Sequence, residues 1–457
     1  MRRFIACLLP GLILALASAH ADTLQLNAAK AVELALANNR QIALAGARLD
    51  EAAAGRGAAF GSFLPQVSAS GTYTRLGTVS SFPMARYGRF PLRVYDPQTG
   101  NVIGYTDSVP VVVGADTLKL GNANNAAVTG TVQQTLFTWG KLINAYCIAG
   151  LNLDLQQQAA AQGRTQVRID ATSSFYQALL AQKTVAVMRD AIKQLRGHVG
   201  QVQSLYDNGM ATKLDVMKAT LGLQQMEAQV SQIENGAELS TAALLNTLGL
   251  DPGTAVAFAE DLVPDSMVVE LDSAQARALE RRPELKQLRD AVRISELGVA
   301  ISRTANLPNA FAQVNGSYKN PVGFSAGWDT DWNATVGVSM PLFTGGSNLA
   351  RLKQAEARCR QARVALAMVE DGIRLEVKAL ALGLNQEAKN AAYQKKNVEV
   401  GEAALGLAEQ RFQNGLLTNL DYMDSQVALT QAHVAYLNAL ANYQVAKARL
   451  KKAIGEE

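Results

Sequence analysis

The chain has 457 residues, 48% of them hydrophobic and 18% charged, with 43 basic and 39 acidic side chains and a formal net charge of +4. That balance argues against a nucleic-acid partner, which needs a basic face. Three cysteines are too few for a disulfide framework.

The first residues are Met1-Arg2-Arg3, then an apolar run over 4–16, then Ala19-His20-Ala21 before Asp22. A basic start, a short apolar core and small residues at a cleavage site predict a secretory signal over 1–21. No Cys follows that site, so no lipid anchor is expected. Removing the segment leaves 41 basic and 39 acidic side chains, a net of +2, with Cys147 and Cys359. Beyond it no run reaches the ~20 apolar residues of a membrane helix, so any membrane entry must use β-strands.

Next come a helix over 27–62 and a strand over 66–73, in which Val67, Ala69, Gly71 and Tyr73 alternate with Ser68, Ser70 and Thr72. A segment over 80–119 holds Pro83, Pro91, Pro97 and Pro110, and a small hairpin is predicted from 92–95 and 101–105. Arg86, Arg89 and Arg93 there suit anionic lipid headgroups or a plain solvated loop. A second strand over 128–136 precedes a long helix over 141–205 and a shorter one over 211–248. Gly163, Gly197 and Gly200 weaken the long helix locally. The plan then recurs: a helix over 273–305, strands over 310–318 and 334–342, a long helix over 347–411 and a last helix over 417–454.

The recurrence is written in the residues. Tyr206-Asp207-Asn208-Gly209 lies 206 positions before Phe412-Gln413-Asn414-Gly415, and the same shift sets Leu136-Phe137-Thr138 on Leu342-Phe343-Thr344. Upstream, Leu64-Pro65 matches Leu307-Pro308 at a shift of 243. The insertion over 80–119 accounts for the difference. Two tandem repeats are expected, 22–261 and 262–457. The 206 shift leaves Cys147 six residues from Cys359, ~9 Å of helix, so two unpaired thiols are expected.

Each strand has the ~9–11 residues that a tilted membrane strand needs; a soluble β-sandwich set has the same pattern. Four strands cannot close a barrel, because open edges in lipid leave backbone groups unpaired. Several chains must pool them. Phe63, Phe137, Trp139 and Phe343 sit at strand ends, as membrane-interface aromatics do and as caps on an ordinary sheet also do.

Residues 24–41, LQLNAAKAVELALANNRQ, their partner over 278–285, the turns over 206–215 and 412–424, and Leu248-Gly249-Leu250-Asp251-Pro252 together resemble the TolC-like outer-membrane efflux family. The resemblance spans essentially all of the mature sequence. It implies a mainly α fold with a small β part: a long α-helical barrel plus four transmembrane strands per chain, shared in a 12-stranded barrel by a homotrimer. It also implies a periplasmic adaptor (membrane fusion protein), an inner-membrane pump of RND or ABC type, and outer-membrane lipid around the strands; apart from the resemblance, no cofactor or metal is expected.

The resemblance also assigns residues. Asp421 and Asp424 match a pair of aspartates that ring the periplasmic entrance, and Asp215 matches an acidic position of the first-copy turn. Phe412 replaces a tyrosine, and Leu417 an arginine, of the family's latch, so the resemblance does not carry an ion-pair latch over to this chain. Lys213 and Lys218 offer a substitute charge, and Lys218 stands where the repeat puts Asp424. Asn208, Gly209 and Met210, with Asn414, Gly415 and Leu416, match the turns that meet an adaptor. Capping alone accounts equally well for Asp215 and Asp421, each three residues after a Thr.

An enzyme is not expected. His198 and His433 lack ligands at metal spacing, and Gly140-Lys141 lacks the rest of a phosphate loop. The competing reading is a periplasmic coiled-coil adaptor, but such a chain carries one helical hairpin between compact β-domains. The exported cargo leaves no mark, because a tunnel lining needs only polar side chains.

Overall fold

The structure, a computed structural model, describes residues 23–263, 265, 267–322 and 327–456. The expected signal over 1–21 lies outside them. In chain order the first elements are β1 (Leu24–Leu26), α1 (Ala28–Asn38), α2 (Arg40–Gly61), β2 (Gln66–Arg75), β3 (Ser81–Phe90), β4 (Arg93–Tyr95), β5 (Val102–Tyr105), β6 (Val109–Lys119) and β7 (Asn124–Phe137). Then follow α3 (Lys141–Asp207), α4 (Lys213–Leu248), β8 (Val256–Phe258), α5 (Leu271–Arg281), α6 (Pro283–Arg303), β9 (Asn309–Asn320), β10 (Asp329–Ser339), α7 (Ser347–Gln413) and α8 (Asn419–Ala453). The chain is mainly helical, and among the described residues no helix is long and apolar enough to cross a membrane. Both α3 and α7 run unbroken for 67 residues, glycines included.

Two expected helices are each divided. Asn39 leaves the helical region at ψ 129°, closing α1, and its side-chain oxygen accepts from Gln41 N–H at 2.8 Å, opening α2. A residue that caps both ways makes a break that helix propensity does not announce. Between α5 and α6 the cause is Pro283, whose ring drives Arg282 to ψ 126°. The last strand also differs from expectation, spanning Asp329–Ser339 instead of 334–342. Its ladder stops where Ser339 meets Asn309, and Pro341 two residues on has no N–H to continue it. The segment over 80–119 holds the expected hairpin as β4 and β5, and β3 and β6 besides, paired along ten registers with a bulge at Arg86/Tyr87.

Two compact units divide the chain, and each takes residues from both sequence halves. The first, residues 23–53, 151–294 and 359–456, is helical apart from β1 and β8, which pair in parallel with Leu24 beside Val256. Its core joins Leu26, Ala31 and Ala35 to Phe175, Leu179, Leu244 and Leu248. Burying each large side chain contributes roughly 1.5–3 kcal/mol. A second cluster packs Leu285, Ile373, Val377 and Leu384 on Tyr443, Leu450 and Ile454. Along α3 the buried positions Val167, Ala171, Phe175, Ala178, Val185, Met188, Ile192, Leu195 and Val202 recur every three to four residues or at twice that step, a narrow seam. Gly249 closes α4 at φ 69°, and a Cβ there would lie 2.6 Å from the Asn38 carbonyl oxygen. Only glycine satisfies both demands.

The second unit, residues 54–150 and 295–358, carries an antiparallel sheet in the order β10-β9-β7-β2. Its register sorts side chains by face. One row reads Val67, Val132, Val314 and Ala334, and the next Ala69, Gly130, Gly316 and Trp332. The opposite face reads Gln66, Gln133, Gln313 and Thr335, then Ser68, Thr131, Asn315 and Asn333. Hydrogen bonds bind the polar rows across strands, Thr131 Oγ1 to Asn315 Oδ1 at 2.8 Å and Asn315 Nδ2 to Asn333 Oδ1 at 3.0 Å. The apolar rows are bare: Val67 is 77% exposed, Trp332 75% and Val336, in a neighbouring row, 78%. Cys147 in this unit and Cys359 in the first are free thiols.

Candidate functional site

Two helix-to-helix turns of the first unit carry most of the expected site residues. Where α3 ends, Gly209 takes φ 72°, its N–H donates to the Tyr206 carbonyl at 2.9 Å, and Met210 N–H donates to Leu205 at 2.8 Å. Where α7 ends, Gly415 takes φ 72°, donating to Phe412 at 3.0 Å, and Leu416 N–H donates to Arg411 at 2.8 Å. This left-handed closure satisfies carbonyls that a helix end strands. Asn208 and Asn414 add the same bond, each amide donating to the carbonyl four residues back at 2.8 Å. Met210 and Leu416 are left 71% and 75% exposed.

Both following helices open on a threonine cap. Thr212 Oγ1 accepts from Asp215 N–H at 3.2 Å and donates to Asp215 Oδ2 at 2.6 Å; Thr418 and Asp421 form the same two bonds at the same distances. The Thr212 hydroxyl, then its N–H, and Lys218 nearby hold the Asp215 carboxyl below its ordinary range. Asp424 lies one turn past Asp421 on the same exposed side of α8 and makes no hydrogen bond or ion pair among the described residues. The structure thus ties Asp215 and Asp421 to their own caps and leaves Asp424 free.

Phe412 is half-buried. Its ring lies 4.7 Å from His198 and 5.9 Å from Tyr422, and His198 stacks on Tyr422 at 3.9 Å. His198 is 2% exposed and its Nε2 lies 2.6 Å from Asn419 Oδ1. Asn419 Nδ2 in turn donates to the Asp215 main-chain carbonyl at 3.0 Å. One side chain therefore joins the two turns. Burial lowers the His198 pKa, the bond to Asn419 and the charge of Glu409 opposing it; burial likewise raises that of Tyr422. Sequence reasoning weighed His198 only as a metal ligand and did not single out Asn419 or Tyr422. The available signal was a histidine on the α3 seam, three residues past Leu195 and four before Val202.

The aromatic set gathers in the second unit. Phe137 and Trp139 meet edge to face at 5.1 Å, Phe63 meets Tyr146 at 6.0 Å, and Phe343 stands 88% exposed. Trp139 takes φ 54° and its indole N–H donates to the Pro308 carbonyl at 2.8 Å.

The outer membrane efflux protein family model matches residues 31–250 and 275–456. Outer membrane efflux protein BepC of Brucella suis biovar 1 is 24% identical over 365 residues, 76% of this chain and 77% of that protein. Alkaline protease secretion protein AprF of Pseudomonas aeruginosa is 24% identical over 385 residues, 80% of this chain and 77% of that one. The solved structure of the outer membrane protein VceC from Vibrio cholerae shares the fold, with a TM-score of 0.71 at 19% identity over 94% of this chain and 96% of that one. None of these supports the adaptor alternative. The chain belongs to the outer membrane efflux protein family and is, with it, an outer-membrane channel protein and not an enzyme.

Proposed function

We propose that the chain is a passive exit duct, closed at its periplasmic entrance by aspartates. The carrying observation is the sheet: a bare apolar face, a hydrogen-bonded polar face, and edges β2 and β10 each paired on one side only. In lipid such edges are tolerable only when other copies pair with them. A homotrimer supplies that pairing, each chain giving β2, β7, β9 and β10 to one 12-stranded barrel, with the polar rows inward. Phe63, Phe137, Trp139 and Phe343 then stand at the membrane interface. The equal 67-residue spans of α3 and α7 support a tandem duplication.

Threefold symmetry gathers the free carboxylate of Asp424 and the capped one of Asp421 into rings that attract cations, with Asp215 and Phe412 beside them. The exposed Met210 and Leu416, with Asn208, Gly209, Asn414 and Gly415, are the surface for a periplasmic adaptor, itself tied to an inner-membrane pump of RND or ABC type. Relatives named for efflux and for protease secretion make either cargo compatible with this duct.

Placing Arg at Val132, mid-row on the apolar face, costs ~2–4 kcal/mol in lipid, so Val132→Arg abolishes the trimer band on unheated electrophoresis while Thr131→Arg keeps it. Equal behaviour of the two variants removes the barrel reading. For the gate, Asp421→Ala with Asp424→Ala weakens divalent-cation block of single channels in planar bilayers, and unchanged block removes that assignment.

A further inference from the structure

We propose that His198 is a positioning residue for the entrance, a neutral imidazole clasp that holds the first turn of α8 against α4 and lets go when it takes up a proton. The inference rests on the gate reading above. Asn419 is the first residue of α8, and Tyr422 and Gln426 follow it on the buried side, whereas Asp421 and Asp424 ride the exposed side of the same turns. Whatever fixes Asn419 fixes where those carboxylates point.

The bonds define the protonation state. Asn419 Nδ2 is committed to the Asp215 carbonyl, so Asn419 Oδ1 must accept from His198, which places the imidazole proton on Nε2. Nδ1 is then a bare acceptor, buried and without a partner among the described residues. A second proton would create a charged donor there, enclosed by Phe412 of α7 and Tyr422 of α8. No carboxylate bonds to it. The Asn419 bond and, on α7, the charge of the exposed Glu409 favour the protonated ring, and burial outweighs both; on α8, Tyr422 is held neutral; on α4, Asp215 spends its carboxylate on Thr212 and reaches His198 only through Asn419.

Because burial depresses the His198 pKa, the released, hydrated state binds the proton more readily than the clasped one. The clasp is therefore fully present above the ordinary histidine value of ~6.5 and is lost as the pH falls below it.

The test uses the full-length trimer in detergent and in planar bilayers, between pH 7.5 and 5. In the wild type, amide exchange over residues 415–425, corrected for the intrinsic pH effect, loses protection on acidification, and channel conductance rises in step. His198→Phe keeps the ring stack and removes the titration, so both responses vanish; Asn419→Ala gives the acid values at every pH. Unchanged wild-type exchange over 415–425 across this range overturns the clasp, whether or not any variant folds. So does a conductance response that survives in His198→Phe. If Asp421→Ala with Asp424→Ala relieves cation block while the pH responses ignore His198, the clasp is wrong and the gate stands. If the double variant leaves block unchanged while 415–425 still loosens through His198, the gate is wrong and the clasp is structural only.

Discussion

The two turns share a backbone and differ in what they carry. Both close on a glycine at φ 72° with matching carbonyl bonds, and both reopen on a threonine whose hydroxyl holds an aspartate at 2.6 Å. At the 206-residue shift, however, Asn419 stands against Lys213, Tyr422 against Val216, Asp424 against Lys218 and His198 against Ala404. One turn buries a polar cluster and presents two acids; the other sets two lysines around its single capped aspartate. Turn geometry is set by a few local residues, so the side chains on it are free to diverge. That separation lets one fold place unlike chemistry at equivalent points.

Exchanging residues between the turns breaks the comparison most sharply. Asn419→Lys puts an ammonium in a site 5% exposed with no carboxylate bonded nearby, and an uncompensated buried charge costs about 3–5 kcal/mol. The reverse exchange, Lys213→Asn, lies on the exposed surface and stays within about 0.5 kcal/mol. Thermal unfolding of the detergent-solubilised protein separates the two; equal shifts would mean that Asn419 is not held as described. The shared backbone predicts a smaller, symmetric effect. Gly209→Ala and Gly415→Ala each force a side chain into the left-handed region, about 1–2 kcal/mol apiece, and a clear inequality between them would show that the turns are not equivalent.

Much of the architecture was legible in the residues, because period two and period 3.6 are local signals. The alternation of Val67, Ala69 and Gly71 with Ser68, Ser70 and Thr72 gave the sheet both of its faces, and the register lines up like with like across β7, β9 and β10. The breaks at Asn39 and Arg282 hid because helical apolar spacing resumes after each. Strands β3 and β6 hid because Pro83 and Pro110 interrupt their pattern. Among site residues, the caps and glycines were readable at short range. The clasp was not: His198 and Asn419 are 221 positions apart, and nothing near either one names the other.

The parallel pairing of β1 with β8 has a consequence for assembly. Leu24 is satisfied by the main chain at Ala255, and Ala28 N–H by the carboxylate of Glu260, 232 positions later. The leading segment of the polypeptide must therefore wait, its hydrogen-bonding groups open, until more than half the molecule has been delivered. A chain cut short before Phe258 leaves Leu26 without its neighbour and remains marked as unfinished for whatever proteases share its compartment.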